Sequence, residues 1–151
     1  MKYYFAYGSN LNLEQMSWRC PTARPVGVAT LDDWQLVFKG SLSGFYLTIE
    51  PHKGSAVPLG VWEIDERSER SLDRYEGYPD FYTKTKLSLP MRDMDGTPLG
   101  MITGLIYIMN TKNPYGIPSR RYIHTCVEGY RDFGFDVQIM NEALDNTWRK
   151  M

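Results

Sequence analysis

The chain has 151 residues, 42% of them hydrophobic, which is enough apolar material for one domain, 1–151, with its own core. Its 17 basic and 18 acidic residues leave a net charge of −1, which argues against a nucleic-acid or membrane-surface role driven by charge. Arg120-Arg121 is a basic cluster at the start of a helix and reads as a solvated face.

Lys2 leads directly into the apolar run Tyr3 to Tyr7, which reads as a strand and not as a leader segment; no run approaches a membrane span, and a soluble cytoplasmic protein is expected. The strand delivers Tyr7-Gly8-Ser9-Asn10-Leu11, a polar tight turn. Gly8 tolerates a backbone conformation closed to other residues. Asn12 with Gln15 three positions on resembles a capping pair opening a short helix. Free amide N–H groups at a helix N-terminus would suit a carboxylate or a developing oxyanion, although the same stretch also fits a plain strand-to-helix turn.

Arg24 to Lys39 and Phe45 to Glu50 read as strands joined by the flexible turn Gly40-Ser41-Leu42-Ser43-Gly44, and Ala56 to Ile64 as a further strand. Asp65 is a good N-cap for a helix with Glu66 and Glu69 in its first turn and Gly77 as its stop. Leu72, Tyr75 and Glu76 share one face of that helix, which is predicted to turn toward the core and carry Glu76 inward. Burial and the negative end of the helix dipole would both raise the Glu76 pKa and suit it to general acid–base work near neutrality; a solvated Glu at a frayed helix end is the other reading.

Phe81 to Leu89 and Leu99 to Met109 form a predicted hairpin, with Asp95-Gly96 as the turn signal. Ser119 caps a helix striped by Tyr122, Ile123, Cys126, Val127 and Tyr130 and stopped by Gly134. Asp136 caps a last helix with Val137, Met140, Leu144 and Trp148 on one face. Long strands with peripheral helices predict an α+β fold, a small mixed β-barrel with helices outside.

Cys20 and Cys126 have no partner at metal or redox spacing, and His52 and His124 are isolated, so no metal or other cofactor is expected. Cys126 reads as core packing and His52 as an exposed loop residue. Ser9 lacks a Gly-x-Ser-x-Gly elbow and a placed histidine, which disfavours a serine hydrolase, and no Gly-rich Lys-Ser/Thr phosphate loop is present.

Three stretches in this order, Tyr-Gly-Ser-Asn-Leu at 7 to 11, Asp-Arg-Tyr-Glu-Gly-Tyr-Pro-Asp-Phe-Tyr at 73 to 82 and Pro-Ser-Arg-Arg-Tyr at 118 to 122, resemble the gamma-glutamylcyclotransferases, including the AIG2-like branch. The resemblance runs from about Tyr3 to Gly134. It implies a barrel fold, a loop at Tyr7, Gly8, Ser9, Asn10 and Leu11 that binds a small-molecule gamma-glutamyl substrate, and Glu76 as the catalytic acid–base. It also implies pocket tyrosines at Tyr82, Tyr107 and Tyr122. Ser9-Asn10 differs from the Tyr-Gly-Ser-Leu loop of the glutathione-specific branch and points away from it. Lys84 stands where many members carry Arg, a change expected to alter recognition of an acidic group on the leaving portion, because Lys offers no bidentate fork.

The implied reaction is an intramolecular aminolysis that closes the glutamyl group to 5-oxoproline and releases an amine or amino acid. The identity of that leaving amine is not written in the sequence, and a non-catalytic binding module keeping the same pocket is the rival reading.

Overall fold

The structure, a computed structural model, describes residues 2–151. Its elements in chain order are β1 (Lys2–Ala6), a 3-10 turn (Ser9–Leu11), α1 (Leu13–Arg19), β2 (Arg24–Ser41), β3 (Gly44–Ile64), α2 (Glu66–Glu76), β4 (Tyr82–Arg92), β5 (Pro98–Met109), α3 (Arg120–Asp132) and α4 (Gln138–Lys150). The strands close into a barrel in the order β1-β3-β2-β4-β5, with helices outside it, as the alternation of long strands and capped helices implies. The barrel is mixed because β1 runs parallel to β5, meeting it at Tyr4↔Leu105, while the remaining pairs are antiparallel.

The two strands expected at Phe45 to Glu50 and Ala56 to Ile64 are one, β3, and the hairpin turn is tighter than Gly40 to Gly44, since Ser41 pairs with Gly44. Pro51 and Gly54 read locally as breakers, yet pairing with β2 carries the strand across them. The register passes from Trp34↔Pro51 to Asp32↔Ala56, so residues 52–55 bulge opposite Asp33. Asp33 (φ 66°) and Gly54 (φ 89°) absorb the bend, and Asp33 Oδ1 accepts the Gly54 N–H at 3.0 Å. Sheet pairing thus outweighs local propensity. His52 lies in this bulge, exposed.

The helix ends follow their caps. Asp65 accepts the Ser68 N–H at 2.8 Å to open α2, and Gly77, left-handed at φ 64°, closes it while the Tyr78 N–H reaches the Asp73 carbonyl. Ser119 opens α3 by accepting the Tyr122 N–H, and Cys126 and Tyr130 are buried on its inner stripe. On α4 the predicted stripe is rotated: Met140, Ala143 and Thr147 are buried, whereas Trp148 is 61% exposed. The reason is a hydrogen-bonding need. The outer half of β2 pairs with β3 on one side, and on its other side Thr147 Oγ1 accepts the Phe38 N–H at 2.9 Å while donating to the Ala143 carbonyl. Asn146 Nδ2 donates to the Leu36 carbonyl beside it, and the Lys39↔Tyr115 bridge covers the same edge.

Among the described residues, no helix is long and apolar enough to cross a membrane.

Candidate active site

At one end of the barrel a cavity of about 320 Å³ is walled by the loop after β1, the C-terminal end of α2, the start of β4, Tyr107 of β5, Tyr122 of α3 and the tip of the β2–β3 hairpin. The short connections place these segments there. Gly77 ends α2 at the cavity rim, so Glu76, its last residue, points in with its carboxyl enclosed although the residue as a whole is half-buried. Burial raises its pKa to about 8, and the Arg19 guanidinium opposes the rise. The sequence reading anticipated burial and missed Arg19.

The loop turns through the 3-10 segment. The Leu11 and Asn12 N–H groups close on the Gly8 and Ser9 carbonyls at 3.0 Å each, which leaves the Ser9 and Asn10 N–H groups without a protein acceptor among the described residues. Those amides belong to the 3-10 turn and precede α1. Asn12 caps α1 as expected, accepting the Gln15 N–H at 2.9 Å, but Gln15 Nε2 returns to the Ser9 carbonyl and so buttresses the turn instead of completing a capping box.

Tyr7, Gly8, Ser9, Asn10, Tyr82, Tyr107 and Tyr122 all line the cavity. Leu11 does not: it is fully buried behind the loop, with its Cδ2 pressed onto Gly60 and its Cβ onto Gly129. An apolar side chain following a polar turn serves as the anchor that holds the turn on the barrel. Gly8 also departs from expectation, because its φ of −122° is not left-handed. Space is the constraint there: a Cβ would lie 3.3 Å from Tyr122 Oη and 3.5 Å from Leu47 Cβ. Gly8→Val is therefore expected to crowd the cavity and weaken substrate binding by roughly tenfold, in keeping with overpacking costs. Titration of a substrate analogue into the folded variant would show it, and unchanged affinity would mean that the loop does not meet the ligand.

The tyrosines are braced through their hydroxyls. Tyr7 Oη donates to the Tyr107 carbonyl at 2.6 Å, Tyr82 Oη donates to the Leu47 carbonyl at 2.7 Å, and Tyr122 Oη accepts the Leu47 N–H at 3.0 Å. Behind the wall, Tyr130 Oη donates to the Tyr7 carbonyl at 2.8 Å. Burial holds the phenols of Tyr4, Tyr7, Tyr82, Tyr107 and Tyr122 above their ordinary pKa, so they stay neutral. Tyr107 Oη also donates to Asp73 at 2.6 Å.

Lys84 lies behind this wall and is committed there: Nζ reaches Glu69 at 2.7 Å and Asp73 at 2.8 Å, and the residue is absent from the cavity lining. It braces β4 against α2, contrary to the expected role in reading a leaving group. Tyr75 is likewise no core residue. It is 42% exposed and forms part of the cavity wall, with its hydroxyl 3.0 Å from Ser9 Oγ. Tyr4, Tyr46 and Phe81 complete the aromatic lining; Phe81 lies in the 73 to 82 stretch just before β4, whereas Tyr4 and Tyr46 carried no sequence signal of their own, because only the barrel closure brings β1 and the β2–β3 hairpin to the cavity.

The chain compares with known proteins as this geometry suggests. Residues 4–124 match the family model described as gamma-glutamyl cyclotransferase, AIG2-like. A bovine gamma-glutamylcyclotransferase is 40% identical over 81 residues, 49% of this chain and 43% of its own length, so the chain covers less than half of that relative. A rat gamma-glutamylaminecyclotransferase is 29% identical over 103 residues, 64% of this chain and 68% of its own. A solved gamma-glutamyl cyclotransferase superposes with a TM-score of 0.76 at 28% identity, covering 94% of this chain and 85% of that one. With four-fifths of its residues inside the family model and the barrel shared with that solved structure, the chain belongs to the AIG2-like gamma-glutamyl cyclotransferase family.

Proposed function

We propose that this chain is a cyclotransferase acting on small gamma-glutamyl compounds. The substrate's free α-amine attacks its own γ-carbonyl carbon, a lactam C–N bond forms, and the amide C–N bond to the leaving amine breaks. The products are 5-oxoproline and an amine or amino acid. No oxidation state changes and no outside nucleophile is consumed.

One observation carries the reading: an enclosed carboxyl, Glu76, with a pKa raised to about 8, in a cavity it shares with the Tyr7–Asn10 loop. Such a group takes one proton from the α-ammonium and, after attack, a second from the same nitrogen, passing each in turn to the leaving nitrogen; the lactam keeps the third and the amine departs as an ammonium, so the proton count closes. The Ser9 and Asn10 N–H groups, which have no protein acceptor among the described residues, suit the α-carboxylate or the carbonyl oxygen as it gains charge. Tyr7, Tyr82, Tyr107 and Tyr122 present braced ring surfaces that hold the flexible glutamyl chain bent for cyclisation, an orientation effect worth about 7 kcal/mol or more where alignment is good.

The rat relative's name specifies an amine and the bovine relative's name specifies no leaving group, and both names share the glutamyl half that this loop would receive. The test is incubation with a panel of gamma-glutamyl amino acids and gamma-glutamylamines, with 5-oxoproline release read by mass spectrometry. Release from none of them would leave a binding module with the same pocket. On a turned-over substrate, the acidic limb of kcat/KM is expected to lie near 8 and well above the ordinary carboxyl value of 4.5, because the base must first lose its proton. Glu76→Asp should keep part of the activity with a displaced limb; a wild-type limb at the ordinary value would mean that the base is elsewhere.

A further inference from the structure

We propose that Arg19 is a positioning residue of this site: from the last turn of α1 it fixes the Asn10 amide so that its NH2 end, and not its oxygen, faces the Glu76 carboxyl. The inference rests on the reading of Glu76 as the acid–base.

A guanidinium can only donate hydrogen bonds, and Arg19 Nη1 donates to Asn10 Oδ1. With its oxygen committed, the amide has only Nδ2 left to turn the other way. Nδ2 lies 2.9 Å from Tyr4 Oη and 3.4 Å from Glu76 Oε1. The same guanidinium lies over the Tyr75 ring, 3.2 Å from its centroid, and Tyr75 in turn meets Ser9 through its hydroxyl. One side chain therefore ties the substrate loop to the end of α2 that bears Glu76. The Arg19 backbone carbonyl adds a further tie, accepting Ser71 Oγ–H at 2.7 Å.

The surroundings make this grip consequential. The ionisable groups around Glu76 are Tyr4 of β1, Tyr7 of the loop, Tyr75 of its own helix and Tyr82 of β4, all of them phenols that burial keeps neutral, together with Arg74, exposed on the cavity wall, and Arg19, the cation whose charge acts on the Glu76 carboxyl. Arg19 forms no carboxylate salt bridge among the described residues, so its charge is not cancelled nearby. Without it, the amide is free to turn its oxygen toward the carboxyl. Loss of charge and reversal of the amide act in the same direction, favouring the protonated acid. A leaving-group contact plays no part in this role.

The test reads the Glu76 carboxyl itself, by carbon-13 NMR titration of the full chain without substrate, in the wild type, Arg19→Gln, Arg19→Lys, Asn10→Ala and the Arg19→Gln/Asn10→Ala double variant. Arg19→Gln is expected to move the midpoint upward by about one pH unit, the low end for loss of a neighbouring opposite charge. Arg19→Lys keeps the charge without the flat fork and should recover part of the shift. In the Asn10→Ala background the Arg19→Gln shift should shrink, since part of it runs through the amide. A midpoint unmoved by Arg19→Gln, or a shift that persists in full without Asn10, overturns the proposal; a merely structural role lowers the melting temperature and leaves the midpoint in place. Should Arg19→Gln not fold, Arg19→Lys carries the test, and its midpoint must lie above that of the wild type. 5-Oxoproline release is measured in parallel: a wild type that releases none from any gamma-glutamyl compound fells the enzymatic reading and this proposal with it, whereas normal turnover with uncoupled midpoints fells this proposal alone.

Discussion

Glu76→Gln is expected to lower kcat by about a hundredfold or more, the scale of a lost general acid–base, with little change in KM. Gln preserves the size of the side chain and an oxygen for Asn10 Nδ2, so the cavity should keep its shape while losing its proton carrier. The same substitution should stabilise the fold on the alkaline side. A carboxyl whose pKa is raised in the folded state favours folding in its protonated form, and that contribution is lost as pH rises from 4.5, the ordinary value, through about 8. Gln suffers no such loss. Calorimetry across this window should show the melting temperature of the variant pulling ahead of the wild type as pH increases. Near-normal turnover on an established substrate would remove Glu76 from the chemistry, and a constant difference in melting temperature would mean that the carboxyl is solvated.

The parts of the site that were legible in the sequence are those set by local rules. Asp65 and Gly77 bound α2 through capping, and that fixes where Glu76 emerges; the polar turn after an apolar strand marks the loop. What stayed hidden depends on pieces far apart in the chain. Arg19 acts because α1 ends beside Tyr75, and Tyr4 because β1 closes the barrel against β5. Lys84 belongs with these: the family resemblance implied a part in recognising the leaving portion, but Glu69 and Asp73 on α2 hold its ammonium. In α4, hydrophobic periodicity favoured Trp148 for the inner face, and an outward N–H on β2 required Thr147 there. Patterns of apolar residues register burial and cannot register such a demand.

Gly129 offers a case in which local and tertiary rules predict opposite signs. It lies within α3, where Ala is the better helix former by about 1 kcal/mol, so propensity alone predicts that Gly129→Ala stabilises. A Cβ at Gly129 would stand 2.6 Å from the Asn12 backbone nitrogen and 2.8 Å from the Leu11 carbonyl carbon, closer than packed atoms allow. Those neighbours are main chain and cannot swing aside. They are held in place by Asn12 Nδ2 donating to the Thr125 carbonyl at 3.1 Å and by Tyr130 Oη donating to the Tyr7 carbonyl at 2.8 Å. Overpacking against so fixed a wall costs about 1–3 kcal/mol, which outweighs the gain in propensity. The net effect expected is a melting temperature lower by several degrees, at about 2–4 °C per kcal/mol for a chain of this size. The strain has one outlet, a shift of the loop away from α3, and that shift moves the Ser9 and Asn10 amides relative to Glu76. A displacement approaching an ångström at a reacting centre can cost about a hundredfold, so kcat/KM should fall by tenfold or more even at temperatures where the variant is fully folded. Thermal unfolding and steady-state kinetics on the same preparation separate the two losses. A Gly129→Ala protein as stable and as active as the wild type would show that α3 does not brace the loop.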